Sequence, residues 1–221
     1  MRAVLVASGE PHPADERWLR DADLVVAVDA GAAWLAERQI RPDALVGDLD
    51  SVAPELVSRF EADGVAIERH PAAKDQSDTE LAVAYARRHG ASEVDVIGAF
   101  GGPRLDHELA NVLLLSAPDA RGLALVRAGS RTTALRGGDE RDLDGQVGSV
   151  VSLFAVGGDA IGVTTTGLAY PLRDETLRTG SSRGLSNVIV AKPAAVRLRQ
   201  GTLLVHEQPA GEPPAEGVET K

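Results

Sequence analysis

The stretch LVVAVDAGAAWLA, residues 24–36, decides the fold: five apolar residues fit for a buried strand stop at Asp29, and a short helix-forming segment follows at once. A strand that passes directly into a helix is the repeating half of a parallel β-α architecture. The same texture extends in both directions. Further strands are predicted at 3–7, 44–46, 65–68, 94–97 and 123–126, and helices at 30–37, 54–62, 78–89 and 106–116, with glycines and polar residues punctuating the joins. After about Gly129 the apolar runs shorten and become rich in valine and threonine, at 148–156, 160–166, 187–191, 196–199 and 202–206. That change marks antiparallel β structure. The fold class is therefore an α/β N-terminal domain with a mostly parallel sheet over 1–130, followed by an all-β domain of sandwich or jelly-roll type over 131–207. Residues 208–221, rich in Pro, Gly and Glu, are expected to be a disordered tail.

Composition narrows the chemistry. With 43% hydrophobic residues in 221, the chain can bury real cores, and no apolar run is long enough to span a membrane. The opening MRAVLVASGE is too short and too soon interrupted for a signal segment, so a soluble, cytoplasmic protein is expected. The absence of cysteine removes disulfides and thiolate metal sites, leaving oxygen or imidazole to hold any metal, which favours hard cations such as Mg²⁺. A formal charge of −10, with no basic stripe, argues against nucleic acid as a partner. Such a protein could take a polyanion only with a divalent ion between them.

Residues directly after the strands of an open α/β sheet are the ones to examine for ligand binding. Four acidic clusters stand there: Asp29, the Asp48-Leu49-Asp50 pair, Asp75 with Asp78, and Asp106. Asp48 and Asp50 are the best metal candidates, because residues two apart in an extended segment point the same way. Ser77 and Glu80 have the spacing of a capping box, which explains a helix start near Asp78 but not Lys74 or Asp75. Lys74 is placed to face a phosphate at that helix start. Gly101 and Gly102 let backbone approach a ligand, with Arg104 a forked donor for phosphate oxygens. Neither a P-loop nor a dinucleotide fingerprint is present. His12, His70, His89 and His206 are scattered, and Trp34 falls at core spacing.

The ordered set DAGAA from Asp29, GDLDS from Gly47, KDQSD from Lys74, GAFGGPRLDH with Ala110-Asn111, TTGLAYPL from Thr165, and LSN ending at Asn187 resembles the thiamine pyrophosphokinase family. The resemblance implies transfer of pyrophosphate from ATP to thiamine with release of AMP, using Mg²⁺, in a homodimer with thiamine bound where domains and subunits meet. It implies Asp48, Asp50 and Asp78 as metal and catalytic carboxylates, with Asp75 beside them. Arg104 and Asp106 would orient the polyphosphate, Asn111 would support the site, and Asp29, Gly31, Lys74, Gly101 and Gly102 would meet the nucleotide. Ser186 and Asn187 would lie on the thiamine side. The chain departs from the family pattern at Ala30 and Ala33, at the extra Pro103, and at Leu49, where Phe is usual and the side chain is expected to point into the core. Alternatives are a pyrophosphokinase for another hydroxymethyl heterocycle such as a pterin, a non-catalytic nucleotide or thiamine sensor, and a Mg-dependent phosphohydrolase.

Overall fold

The computed structural model describes residues 1–210; residues 211–221, most of the expected tail, lie outside the described residues. The chain divides into two compact units, one of Met1–Thr133 and a second beginning at Ala134.

In the first unit, strands β1 (Arg2–Val6), β2 (Leu24–Val28), β3 (Ala44–Gly47), β4 (Ala66–Arg69), β5 (Glu93–Ile97) and β6 (Leu123–Arg127) form a parallel sheet in the order β6-β5-β1-β2-β3-β4. A further strand, β7 (Ser130–Arg136), folds back antiparallel on β6, so the sheet is mixed. Parallel strands covered on both faces need near-continuous apolar runs. Ala3, Val4, Leu5 and Val6 are accordingly all fully buried. The charged residue buried within these strands is Asp95 in mid-β5, 1% exposed, held by Arg2 Nε at 2.8 Å and Arg131 Nη2 at 3.2 Å. A carboxylate survives at such depth only when paired.

Four helices connect these strands: α1 (Gly31–Glu37), α2 (Pro54–Ala62), α3 (Asp78–Arg88) and α4 (Leu105–Leu114). Pro54 opens α2, where its missing amide hydrogen costs nothing. Ser77 caps α3 by accepting from the Glu80 amide at 3.2 Å, which fulfils the serine half of the capping box. A 3-10 segment, Pro13–Leu19, was not foreseen; His12 Nδ1 accepts from the Ala14 amide and Asp15 returns a bond to the His12 amide. Because strands two to four extend from one side of β1 and strands five and six from the other, the sheet has its switch point between β1 and β5.

The second unit holds β8 (Glu140–Asp142), β9 (Val150–Ala155), β10 (Ala160–Thr166), β11 (Glu175–Leu177), β12 (Asn187–Val188), β13 (Ala195–Arg197) and β14 (Thr202–Gln208). They pair antiparallel, as β12-β9-β14 and as β11-β10-β13-β8. Val151, Leu153, Leu203 and Val205 from the first set share one core with Val163, Leu177 and Val196 from the second. The strand expected over 187–191 is cut to Asn187–Val188, with Ile189 joining Leu168 through an isolated bridge. Strand β14 runs to Gln208, the first residue of the expected tail, because Gln208 still has Val150 as a ladder partner. Among the described residues no helix is long and apolar enough to cross a membrane.

Candidate active site

The carboxyl ends of β1, β2, β3 and β5 surround a cleft of about 630 Å³ in the first unit. Its walls are set by close backbone approaches. The Gly9 amide donates to the Gly98 carbonyl at 2.9 Å, and the Glu10 amide to Phe100 at 2.8 Å, so the loop after β1 is stitched to the loop after β5. A Cβ on Gly9 would lie 2.4 Å from both the Gly98 and Phe100 oxygens. Only glycine fits there.

Asp29 directly follows β2 in the left-handed region, at φ 42°, a conformation that Asp tolerates better than most residues. It is 8% exposed, and its Oδ1 accepts the Leu49 amide at 3.0 Å. The Gly47 Cα sits against this carboxylate; a Cβ would come 1.9 Å from Oδ1. Leu49 itself takes φ 65° and, as expected, buries its side chain in the core beneath. That positive φ corrects the expected extended geometry of the Asp-Leu-Asp element. Asp48 and Asp50 meet through a turn, in which Asp48 Oδ1 accepts the Asp50 amide at 3.1 Å.

Crowding of acids sets the electrostatics. Burial, together with the nearby Asp78 and Asp48, pushes the Asp29 carboxyl up to about 7, against the pull of the Leu49 amide. The hydrogen bond with Asp48 and its charge push Asp50 up, while the Asp50 amide holds Asp48 below the usual carboxylate range. Across the cleft, Arg104 Nε and Nη2 grip Asp106 at 2.9 and 2.6 Å, and this fork pulls the Asp106 carboxyl down to about 2. Both are 63% exposed. Arg104 stands at the N-cap position of α4 and Asp106 in its first turn, not at the cap. Asn111, buried in the same helix, donates to the Ala99 carbonyl at 2.8 Å and ties α4 to the glycine loop.

A test on stability follows from Asp29. Its folded pKa lies above the unfolded carboxylate value, so the native state binds the extra proton, and stability is lost as pH rises from about 4 through about 7. Asp29→Asn keeps the Oδ1 acceptor and tolerates the φ. In EDTA the wild type should lose roughly 2–4 kcal/mol relative to this variant between pH 4 and pH 8, read from denaturant melts. Parallel pH profiles would remove the assigned cause.

The cleft brings together Asp29, Asp48, Asp50, Asp78, Gly101, Gly102, Arg104, Asp106 and Asn111. Gly31 lies buried beneath it, with a Cβ position only 1.9 Å from the Val6 carbonyl oxygen. Lys74 is tucked behind, its Nζ 2.8 Å from Asp78 Oδ1 and 3.7 Å from Asp48 Oδ2. Asp75 is exposed and does not line the cleft. Ser186 and Asn187 belong to the second unit, where the Asn187 amide brackets Tyr170, accepting its N–H at 3.0 Å and donating to its carbonyl at 2.7 Å. Residues not foreseen include Ser8, whose Oγ donates to Val28, and Glu108, whose Oε1 accepts the Gly101 amide at 3.0 Å. A glutamate one turn into the helix after two glycines is the signal that could have found the latter.

The donor set suits a hard divalent cation. Its oxygens are carboxylates, and Asp78 Oδ1 is a buried oxygen that receives no directed hydrogen bond. Among the described residues no three acidic or imidazole groups stand close enough to cage a metal unaided. Mg²⁺ does not need such a cage, since it is usually held by one or two carboxylates plus substrate phosphates and water.

Fold and cleft define an α/β protein with a polar small-molecule site at the carboxyl edge of its parallel strands. The family model described as thiamin pyrophosphokinase, catalytic domain, matches residues 16–126, and that described as thiamin pyrophosphokinase, vitamin B1 binding domain, matches 140–203. Thiamine pyrophosphokinase of Bacillus subtilis is 25% identical over 210 residues, covering 93% of this chain and 98% of that protein. A crystal structure of the B. subtilis enzyme superposes with a TM-score of 0.84 at 24% identity, covering 95% of this chain and 99% of that one. A crystal structure of the enzyme from Geobacillus thermodenitrificans gives 0.80 at 28% identity, over 94% and 97%. The chain belongs to the thiamin pyrophosphokinase family.

Proposed function

We propose that this chain transfers a pyrophosphoryl group from ATP to the hydroxyl of thiamine, giving thiamine pyrophosphate and AMP. The observation that carries this reading is the convergence of Asp48, Asp50 and Asp78 in one cleft opposite Arg104, within a chain that matches both family models. In this reading Mg²⁺ would be held by carboxylates drawn from Asp48, Asp50 and Asp78 together with substrate phosphates and water, and would supply charge neutralisation on the polyphosphate. Arg104 offers its fork to phosphate oxygens, and Asp106 aims it until substrate arrives. Gly101 and Gly102, at φ +87° each, admit the polyphosphate against bare backbone. Asn111 and Glu108 brace that loop from α4.

The hydroxyl oxygen forms a bond to the β-phosphorus as the bond from that phosphorus to the α-β bridging oxygen breaks, and AMP departs with the bridging oxygen. Asp78 is the carboxylate assigned to take the hydroxyl proton. Most of the acceleration comes from alignment and charge placement, since a primary alcohol is a weak nucleophile. Thiamine is held by the second unit, where Asn187 acts by fixing the Tyr170 segment and Ser186 lies exposed beside it.

Purified protein given Mg-ATP should form AMP and thiamine pyrophosphate in equal amounts, only when thiamine is present, and both should vanish with EDTA. AMP formation indifferent to thiamine, or none at all, would reject the reading.

A further inference from the structure

Lys74 is one of only three lysines among the 23 basic side chains; the chain otherwise uses arginine. Its side chain is 10% exposed and reaches in behind the acidic cluster, 2.8 Å from Asp78 Oδ1 and 3.7 Å from Asp48 Oδ2. Neither Lys74 Nζ nor Asp78 Oδ1 makes a directed hydrogen bond, though both atoms are buried. The contact is therefore one of charge rather than of hydrogen-bond geometry. A buried ammonium with unsatisfied donors is expensive to keep, and its charge offsets the mutual repulsion of the two carboxylates it touches. A compact point charge does this where a planar guanidinium would demand a forked partner. Oxygen-only coordination by two carboxylates is also what a small divalent cation seeks.

We propose that Lys74 is an internal stand-in for the divalent ion: its ammonium bridges Asp48 and Asp78 in the metal-free protein and is displaced from them when the ion arrives with nucleotide. The identity of the ion rests on the function proposed above; the bridging contact does not. Bare Mg²⁺ must compete with a tethered cation, so it binds weakly. Mg-ATP brings phosphate oxygens that receive the released ammonium, so metal and nucleotide bind with positive coupling.

The test is Lys74→Met, which keeps the length of the side chain and removes the charge. Three results are expected: a lower melting temperature in EDTA, bare Mg²⁺ binding about tenfold tighter by calorimetry, and weaker binding of Mg²⁺ with a non-hydrolysable ATP analogue. Unchanged or weaker bare Mg²⁺ binding in the variant would overturn the proposal. Should Lys74→Met not fold, the wild type gives the answer by NMR. With only Lys74, Lys192 and Lys221 to assign, the Lys74 Nζ signal should shift on adding Mg²⁺ and analogue, and a static signal overturns the proposal. The two readings separate cleanly because turnover is read on the wild type: tighter metal binding by the variant with no thiamine-dependent AMP from the wild type leaves the stand-in intact and rejects the kinase function, while normal wild-type turnover with no gain in the variant's metal affinity does the reverse.

Discussion

Asp48→Asn should lower thiamine-dependent AMP formation on the order of a hundred- to a thousandfold while the protein stays folded. Asparagine keeps the Oδ1 that accepts the Asp50 amide, so the turn after β3 persists. What is lost is a full negative charge in a cluster where Asp29 and Asp50 are already pushed up by their neighbours. Because the Asp50 amide and Lys74 favour the ionised Asp48, the metal-free melting temperature should fall only slightly. Asp50→Asn should behave likewise in activity. The measurement is AMP and thiamine pyrophosphate release across a Mg²⁺ titration, alongside thermal melts. Normal turnover in both variants would remove these residues from the metal site.

Gly31→Ala should severely destabilise the first unit. The new Cβ would sit 1.9 Å from the Val6 carbonyl oxygen and 2.7 Å from its carbon, both backbone atoms of a fully buried residue of β1. Neither can swing aside, so α1 must lift from β1, at a cost of about 3–5 kcal/mol. For a chain of this size that is a fall of roughly 10 °C in melting temperature. Gly90→Ala is the control: Gly90 has φ +91° but nothing within 4 Å of an added Cβ, so only backbone strain of about 1–2 kcal/mol applies. Equal losses in the two variants would show that close packing at Gly31 is not the cause.

Gly31 also illustrates what could be read before any coordinates. A strand running straight into a helix, as at 24–36, is legible because both periodicities are strong, and α2 was bounded correctly at Pro54 and Ala62. Strand β7 was missed because SRTTALR has no apolar run, only two buried positions among partly exposed ones. The 3-10 segment after His12 was hidden by two prolines that read as loop, and its anchor, the buried Asp15, looks like any surface acid. At the site, acids following strands were visible as candidates. Their mutual arrangement was not: the positive φ of Leu49, the burial of Asp29 and the reach of Lys74 depend on loops packed by residues far away in sequence.

The position of β1 has a bearing on how the protein is made. Its two neighbours are β2 and β5, and on the β5 side Arg2 finds its partner only at Glu93. At translation rates of about 5–20 residues per second, β1 waits on the order of ten seconds with one apolar edge open. The cleft cannot close until that wait ends, because the Gly9 and Glu10 amides need carbonyls at Gly98 and Phe100. Pairings so distant in sequence fold slowly. The nascent chain is therefore most exposed to misassembly in the interval between its first strand and its fifth, and a chain halted there carries most of the acids of the site with no cleft to hold them.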